Sequence, residues 1–177
     1  MMKVKFTKIF FFSFILISIQ CLSQNGLFDK NRLKIQQEVH LIDSLNILSL
    51  DSVKLLINDS INVNVKKFTD RIVAKNVLRN SNTNFEIKYY LKNGELFFIK
   101  IEEQSTNLSD LKKHTEYYIS KNKISDVNYY RNMRICLPIS LDADIDKQFG
   151  YNKNLSENFM KKYVFQLYKK INKTLRL

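Results

Sequence analysis

Hydrophobic and polar residues follow their clearest pattern on either side of an Asn-Gly pair at residues 93–94. Two aromatic-rich runs, 85–91 and 95–101, flank this pair, and such an arrangement is typical of a β-hairpin. Asn and Gly tolerate the positive φ angles that a tight reversal requires. The pattern therefore predicts an antiparallel hairpin in the middle of the chain.

The register of this hairpin decides which side chains face the core. A two-residue turn pairs Leu91 with Leu96 and leaves apolar side chains on both faces of the strands. A three-residue loop with a G1 bulge at the glycine pairs Leu91 with Glu95 and collects the apolar side chains on one face. Because a one-residue slip exchanges the two faces, we predict the three-residue loop, with Glu86 opposite Lys100.

A second stretch repeats this arrangement 28 residues further along the chain. Residues 117–119 (Tyr-Tyr-Ile) correspond to residues 89–91 (Tyr-Tyr-Leu), and Asn122 takes the place of Gly94. Asn is the non-glycine residue best suited to a left-handed turn position. The sequence therefore predicts a second hairpin of the same kind.

Upstream of these hairpins, residues 61–65 alternate strictly between apolar and polar side chains, which predicts a strand with one buried face. Residues 53–57 fit its partner strand, although a helix from residue 50 to 57 is the alternative. Residues 68–78 are compatible with either a short helix or a strand. Hairpins joined in series predict an antiparallel meander of four to six strands.

Helical periodicity marks both ends of the region after residue 28. In residues 29–46, apolar side chains recur at helical spacing, which predicts an amphipathic N-terminal helix. Near the C-terminus, Asn154 and Glu157 form a capping-box pattern before a long second helix. Its apolar stripe comprises Met160, Tyr163, Val164, Leu167, Ile171 and Leu175. The predicted fold class is α+β, with an antiparallel β-meander and this long amphipathic helix packed on one sheet face.

The first 23 residues have the organisation of a secretory signal peptide. Residues 1–8 carry three lysines and no acid, and residues 9–19 form an apolar run. Cys21 and Ser23 are the small residues before the expected cleavage site. The apolar run is shorter than the ~20 residues that a membrane-spanning helix requires. We therefore expect export to the periplasm or the medium, with no transmembrane segment after cleavage.

Export leaves residues 24–177 as a single predicted domain. A lipoprotein anchored through Cys21 is the alternative, although Gln20 stands where a lipobox has a small residue. Cleavage removes three lysines and lowers the formal charge from +12 to +9. Cys136 is then the remaining cysteine, which excludes an internal disulfide. The basic balance permits anionic partners without identifying one.

The sequence offers little catalytic or metal-binding chemistry. Asp142, Asp144 and Asp146 have metal-like spacing, but Lys147 and Lys153 stand where a calcium-binding EF-hand loop needs Gly and Glu. The stretch is therefore predicted to be a solvated acidic loop, with an irregular calcium site as the alternative. The two histidines are not tied by spacing to a nucleophile, and the three glycines are too scattered to form a phosphate-binding loop. We expect no cofactor and no catalytic site.

Two groups of residues are candidate interaction surfaces. The first comprises aromatic residues on the sheet face opposite the core, which either lie under the two helices or form a binding surface, namely Tyr90, Phe98 and Tyr118. The second is the lysine-rich side of the last helix, with Lys161, Lys162, Phe165, Lys169 and Lys170. Such a side either binds anionic lipid or an acidic protein, or serves as a solubilising surface. Export argues against nucleic acid as a partner.

The unit Tyr-Tyr-x-x-x-Gly/Asn-x-Leu/Ile, present at 89–96 and 117–124, resembles the hairpins of small exported bacterial proteins of unknown function. It also shares an aromatic pair and Asn-Gly-x-Leu with the MORN-type repeat, but its spacing is longer and glycine is scarcer. The resemblance implies no catalytic or binding residues. We expect an exported, non-catalytic protein that binds a protein or an envelope component. An inhibitor or immunity-type protein that blocks a hydrolase is the alternative, and an enzyme is the third hypothesis.

Overall fold

The computed structural model describes residues 30–45, 47–57, 61–78, 83–105, 111–133 and 157–175. The chain comprises two compact units, Met1–Ser44 and Leu45–Leu177, which are described separately. In the first unit, helix α1 spans residues 30–44, close to the predicted range. Val39 is buried, and Ile35 and Ile42 are half-buried, as their helical spacing predicts.

Several predicted features lie outside the described residues. They are the signal peptide at residues 1–23 with the lipidation alternative at Cys21, the acidic stretch 142–146, Cys136 and the helix cap at Asn154. These features and the domain boundaries stay predictions.

The second unit contains one antiparallel sheet in which seven strands follow one another in chain order. The strands are β1 (Asp51–Ile57), β2 (Ile61–Lys67), β3 (Arg71–Leu78), β4 (Thr83–Lys92), β5 (Glu95–Ser105), β6 (Leu111–Ser120) and β7 (Lys123–Met133). The predicted α+β meander is confirmed, and it has one strand more than the upper limit of the prediction. The ambiguous segment 68–78 supplies β3, because its apolar residues pair with strands on both sides.

Helix α2 (Glu157–Thr174) packs on one face of this sheet. Its predicted apolar stripe is buried at Met160, Tyr163, Val164, Leu167 and Ile171. The strands contribute alternate positions to the same core, among them Val63, Ile72, Ile87, Ile99 and Tyr117. Each large apolar side chain buried in this way stabilises the fold by about 1.5–3 kcal/mol. We call this side of the sheet the core face and the opposite side the second face.

The prediction of a three-residue loop in the β4–β5 hairpin is wrong. Leu91 lies opposite Leu96, and Asn93 and Gly94 form a two-residue turn with φ angles of 53° and 81°. The register then shifts by one residue, since Tyr90 lies opposite Phe98 and Phe97 is the extra residue on β5.

This bulge reconciles the tight turn with a single apolar face. Beyond it, Tyr89 lies opposite Ile99 on the core face, which a two-residue turn without a bulge would not allow. The predicted pair of Glu86 with Lys100 is also wrong, because Glu86 lies opposite Glu102. Glu86 instead has its nearest cation in Lys75, with Nζ and Oε2 3.5 Å apart.

The β6–β7 hairpin has the same construction. Lys121 and Asn122 form the turn with φ angles of 50° and 60°, and they occupy the positions 28 residues after Asn93 and Gly94. Here the extra residue is Ser125, whose hydroxyl donates a 3.0 Å hydrogen bond to the carbonyl oxygen of Tyr118. The two hairpins thus share turn length and bulge position.

Candidate functional site

The second face of the sheet carries polar side chains on all seven strands. One row crosses the whole sheet through directly paired positions, namely Lys54, Asn64, Lys75, Glu86, Glu102, His114 and Tyr130. The first three of these side chains are exposed, whereas Glu86 and Glu102 are half-buried and His114 is buried. The second face is therefore open on β1–β3 and closed to solvent towards β6.

The predicted aromatic residues also lie on the second face, two rows further along the strands, beyond the row of Lys88, Lys100 and Glu116. The rings of Tyr90 and Phe98 are 5.6 Å apart, and those of Phe98 and Tyr118 are 5.1 Å apart with an edge-to-face geometry. Their exposed fractions are only 0%, 1% and 3%. The structure thus brings the three rings together but places them in a buried cluster, and their role in binding a partner stays a prediction.

A buried carboxylate, Glu116, organises the polar network beside these rings. Its Oε1 accepts a 3.1 Å hydrogen bond from the hydroxyl of Tyr130, and its Oε2 accepts a 3.0 Å bond from the amide of Asn128. The hydroxyl of Tyr118 lies 3.5 Å from the same Oε2. Burial, together with the charge and hydrogen bond of Glu116, raises the pKa of Tyr130 well above its usual value.

His114 lies next to this network, with its ring stacked on that of Tyr130 at a centroid distance of 4.6 Å. Its Nε2 is 3.4 Å from the amide nitrogen of Asn132, and its Nδ1 is 3.9 Å from Oε2 of Glu102, beyond hydrogen-bond distance. Burial lowers the pKa of His114, and the charge of Glu102 offsets this only in part. The surroundings of His114 therefore favour the neutral form of its ring.

Glu102 joins the network to a lysine. Lys112 donates a 2.6 Å hydrogen bond from Nζ to Oε1 of Glu102. Burial alone would raise the pKa of Glu102, but the hydrogen bond and charge of Lys112 bring it below its usual value. The carboxylates of Glu102 and Glu116 thus have hydrogen-bond partners, whereas Nδ1 of His114 is buried without one.

The sequence did not single out this network, although it contains a sign of it. His114, Glu116 and Tyr118 alternate along one strand and must share a face. Their partners on β7 could not be assigned, because the partner positions depend on the bulge in that hairpin.

The predicted lysines of α2 differ in their surroundings. Lys162 and Lys169 are exposed, as is Lys173, whereas Lys161 forms an ion pair with Glu157 one turn earlier. Lys170 is exposed and donates a 3.0 Å hydrogen bond to the carbonyl oxygen of Leu56 on the edge strand β1.

Phe165 is half-buried and packs against the core rather than standing among the lysines. The α2 basic surface is therefore defined by Lys162, Lys169, Lys170 and Lys173.

A second basic area lies on the open part of the second face. It is a depression of about 590 Å³ lined by Ser52, Val53, Lys54, Asn64, Val65, Lys66, Val73 and Lys75. Lys54, Lys66 and Lys75 are exposed, and the last of them approaches Glu86. We call this area the β1–β3 depression. The sequence analysis did not identify it, since its residues come from three strands.

Within the described ranges, no group of three or more His, Cys, Asp or Glu residues could hold a metal ion. In the same part of the chain, no helix has the length and apolar character needed to cross a membrane. Comparisons of the chain with protein-family models, with curated proteins and with solved structures gave no match. The fold itself defines the class, an α+β protein with a seven-stranded meander and a helix on one face.

Proposed function

We propose that this protein is an exported, non-catalytic binding protein that holds an anionic component of the cell envelope on its α2 basic surface. The supporting observation is the division of α2 into two sides. Five residues of one side are buried in the core, while Lys162, Lys169, Lys170 and Lys173 are exposed on the helix. The packing of the buried side fixes the direction in which the lysines point.

Electrostatics favours the binding of anionic lipid or polymer at such a surface. Each lysine close to an anionic membrane surface contributes about 1 kcal/mol of attraction. Four of them on one side of a helix therefore give a binding energy that is useful but sensitive to salt. The formal charge is +12 for the whole chain and stays at +9 once the three lysines of residues 1–23 are removed, which supports the same choice of partner.

The test is co-sedimentation of the protein with vesicles that contain anionic phospholipid, compared with vesicles of neutral phosphatidylcholine. We expect retention on the anionic vesicles alone, and a decrease when the salt concentration rises above about 0.1 M, where the screening length is ~10 Å. The variant Lys169→Glu/Lys170→Glu should lose most of this retention. Unchanged retention of this variant would contradict the proposal.

Two further variants separate the site from general charge and from folding. Lys30→Glu/Lys34→Glu makes the same change in charge at exposed positions of α1 and should keep most of the retention. Lys162→Glu/Lys169→Glu leaves the hydrogen bond from Lys170 to Leu56 intact. This variant should still lose most of its retention on the anionic vesicles. Equal losses in all three variants would indicate a nonspecific effect of net charge.

The inhibitor or immunity-type alternative makes a different prediction. A hydrolase partner would be captured from an envelope extract as one protein in stoichiometric yield, and its activity would fall on addition of this protein. If one hydrolase is captured in stoichiometric yield from an extract from which lipid has been removed, the inhibitor hypothesis replaces the proposal of an envelope component.

A further inference from the structure

Six side chains form a compact block on the second face of strands β1, β2 and β3. In one row, Ser52 lies opposite Lys66 and Lys66 opposite Val73. In the next row, Lys54 lies opposite Asn64 and Asn64 opposite Lys75. The block lines the β1–β3 depression and faces away from α2.

The lysines of this block are placed so that they can share one ligand. No two of them are directly opposite each other, because Asn64, Val73 and Ser52 occupy the positions between them. Neighbouring strands are ~4.8 Å apart and alternate residues ~6.8 Å apart, so the three Cα atoms lie within roughly 8–10 Å of one another. Lysine side chains are long enough to bring their ammonium groups together across such a distance.

The block also has a surplus of positive charge. Lys75 approaches Glu86 at 3.5 Å, and its side chain nevertheless stays 68% exposed. Within the described part of the chain, neither Lys54 nor Lys66 forms an ion pair. An anion bound between the three ammonium groups would therefore relieve their mutual repulsion.

The remaining residues of the depression suit a polyhydroxylated molecule. The volume of about 590 Å³ lies within the ~300–1,000 Å³ range of small-molecule sites. Asn64 offers both a donor and acceptor, Ser52 offers a hydroxyl, and Val73 supplies an apolar floor.

From this arrangement we propose that the β1–β3 depression binds an anionic saccharide, with its phosphate or carboxylate held by Lys54, Lys66 and Lys75. The sugar hydroxyls bond to Asn64 and Ser52, and the ring lies over Val73. The site is independent of the α2 basic surface, and it remains available if α2 binds nothing.

The test measures binding of the purified full-length protein to glucose 6-phosphate, glucuronate, glucose and inorganic phosphate by isothermal titration calorimetry. We expect at least one sugar anion to bind on the order of tenfold more tightly than both glucose and inorganic phosphate. Such a difference in Kd requires only about 1.4 kcal/mol, which the combined contacts of the anionic group and the sugar hydroxyls would supply. The preferred sugar anion identifies phosphate or carboxylate as the recognised group. Binding of both sugar anions no tighter than inorganic phosphate would overturn the proposal.

Variants assign the binding to the depression. Lys54→Gln/Lys66→Gln should weaken binding of the sugar anion about tenfold or more. Lys162→Gln/Lys169→Gln, an equal change in charge on α2, should leave it unchanged. Asn64→Ala should weaken the binding of the sugar anion but leave the binding of inorganic phosphate unchanged. The proposal fails if the depression variant binds like the unmodified protein, whereas the vesicle assay of the α2 surface is unaffected by this result.

Discussion

The hydroxyl of Tyr163 on helix α2 donates a 2.8 Å hydrogen bond to Oδ1 of Asn76 on strand β3. Both residues are buried, and the amide group of Asn76 donates in turn to the carbonyl oxygens of Ala74, at 2.8 Å, and Phe85, at 3.3 Å. A buried asparagine thus ties the helix to two neighbouring strands. Because each polar atom has its partner, the link fixes where α2 packs without leaving an unpaired group.

The first prediction concerns the energetic coupling of this pair. Asn76→Ala should lower the free energy of unfolding by about 1–3 kcal/mol, because it leaves the buried Tyr163 hydroxyl without an acceptor. Tyr163→Phe removes the same bond from the other side. In urea unfolding, the double variant should lose less free energy of unfolding than the two single variants lose together, and the difference should be about 0.5 kcal/mol or more. Strict additivity would contradict the link, and Asn62→Ala, at an exposed position of β2, is the control.

The second prediction is a loss of stability in mild acid caused by His114. Because burial lowers the pKa of His114 in the folded protein, the unfolded chain takes up this proton more readily just below pH ~6.5. The contribution of the neutral ring to the free energy of unfolding is therefore fully present above pH ~6.5. It is lost as the pH falls from there through the lowered pKa that His114 has in the folded protein.

Urea unfolding at a series of pH values measures this effect. The slope of stability against pH below about 6.5 should be smaller in His114→Gln than in the unmodified protein. His40→Gln, at an exposed position of α1, should keep the original slope. Glu102, whose pKa is lowered, adds a further loss of stability at lower pH. An unchanged slope in His114→Gln would rule out this role for the histidine.

The third prediction concerns the turn of the second hairpin. Lys121 has a φ angle of 50°, in the left-handed region that Asn tolerates better than Lys. Lys121→Asn should therefore stabilise the protein by up to about 1 kcal/mol and raise the melting temperature by about 2–4 °C.

Two controls accompany this variant. Lys123→Asn makes the same change of side chain outside the turn and should not stabilise. Gly94→Ala, where φ is +81° and the space around the residue is open, should destabilise through backbone strain alone. A lower melting temperature for Lys121→Asn would show that the lysine side chain stabilises the turn in another way.

The fourth prediction concerns the carboxylate of Glu116. In Glu116→Gln, an amide group replaces one oxygen that accepts from Tyr130 or Asn128, so one half-buried donor would lose its acceptor inside the network. We expect a loss of about 1–3 kcal/mol in thermal or urea unfolding. Glu95→Gln, at the exposed first residue of β5, should change stability by less than about 0.5 kcal/mol. Equal effects of the two variants would mean that the Glu116 network does not contribute to the stability of the fold.

Local patterns in the sequence were sufficient to predict the class of fold and the positions of several of its elements. Helical spacing located α1 and the buried stripe of α2, and strict alternation at residues 61–65 located β2. The Asn-Gly pair located the central turn. These features are local, because the period of a helix or strand and the φ preference of a residue do not depend on distant parts of the chain.

The way in which these elements pair and pack depends on contacts between distant parts of the chain. The segment 71–78 is a strand because β2 and β4 pair with it on both sides. The extra residues Phe97 and Ser125 keep a two-residue turn compatible with one apolar face, and they set which residues lie opposite each other. The Glu116 network, the bond from Tyr163 to Asn76 and the β1–β3 depression all depend on that pairing. A one-residue shift reverses every face of a strand, so such sites follow from register and not from spacing along the sequence.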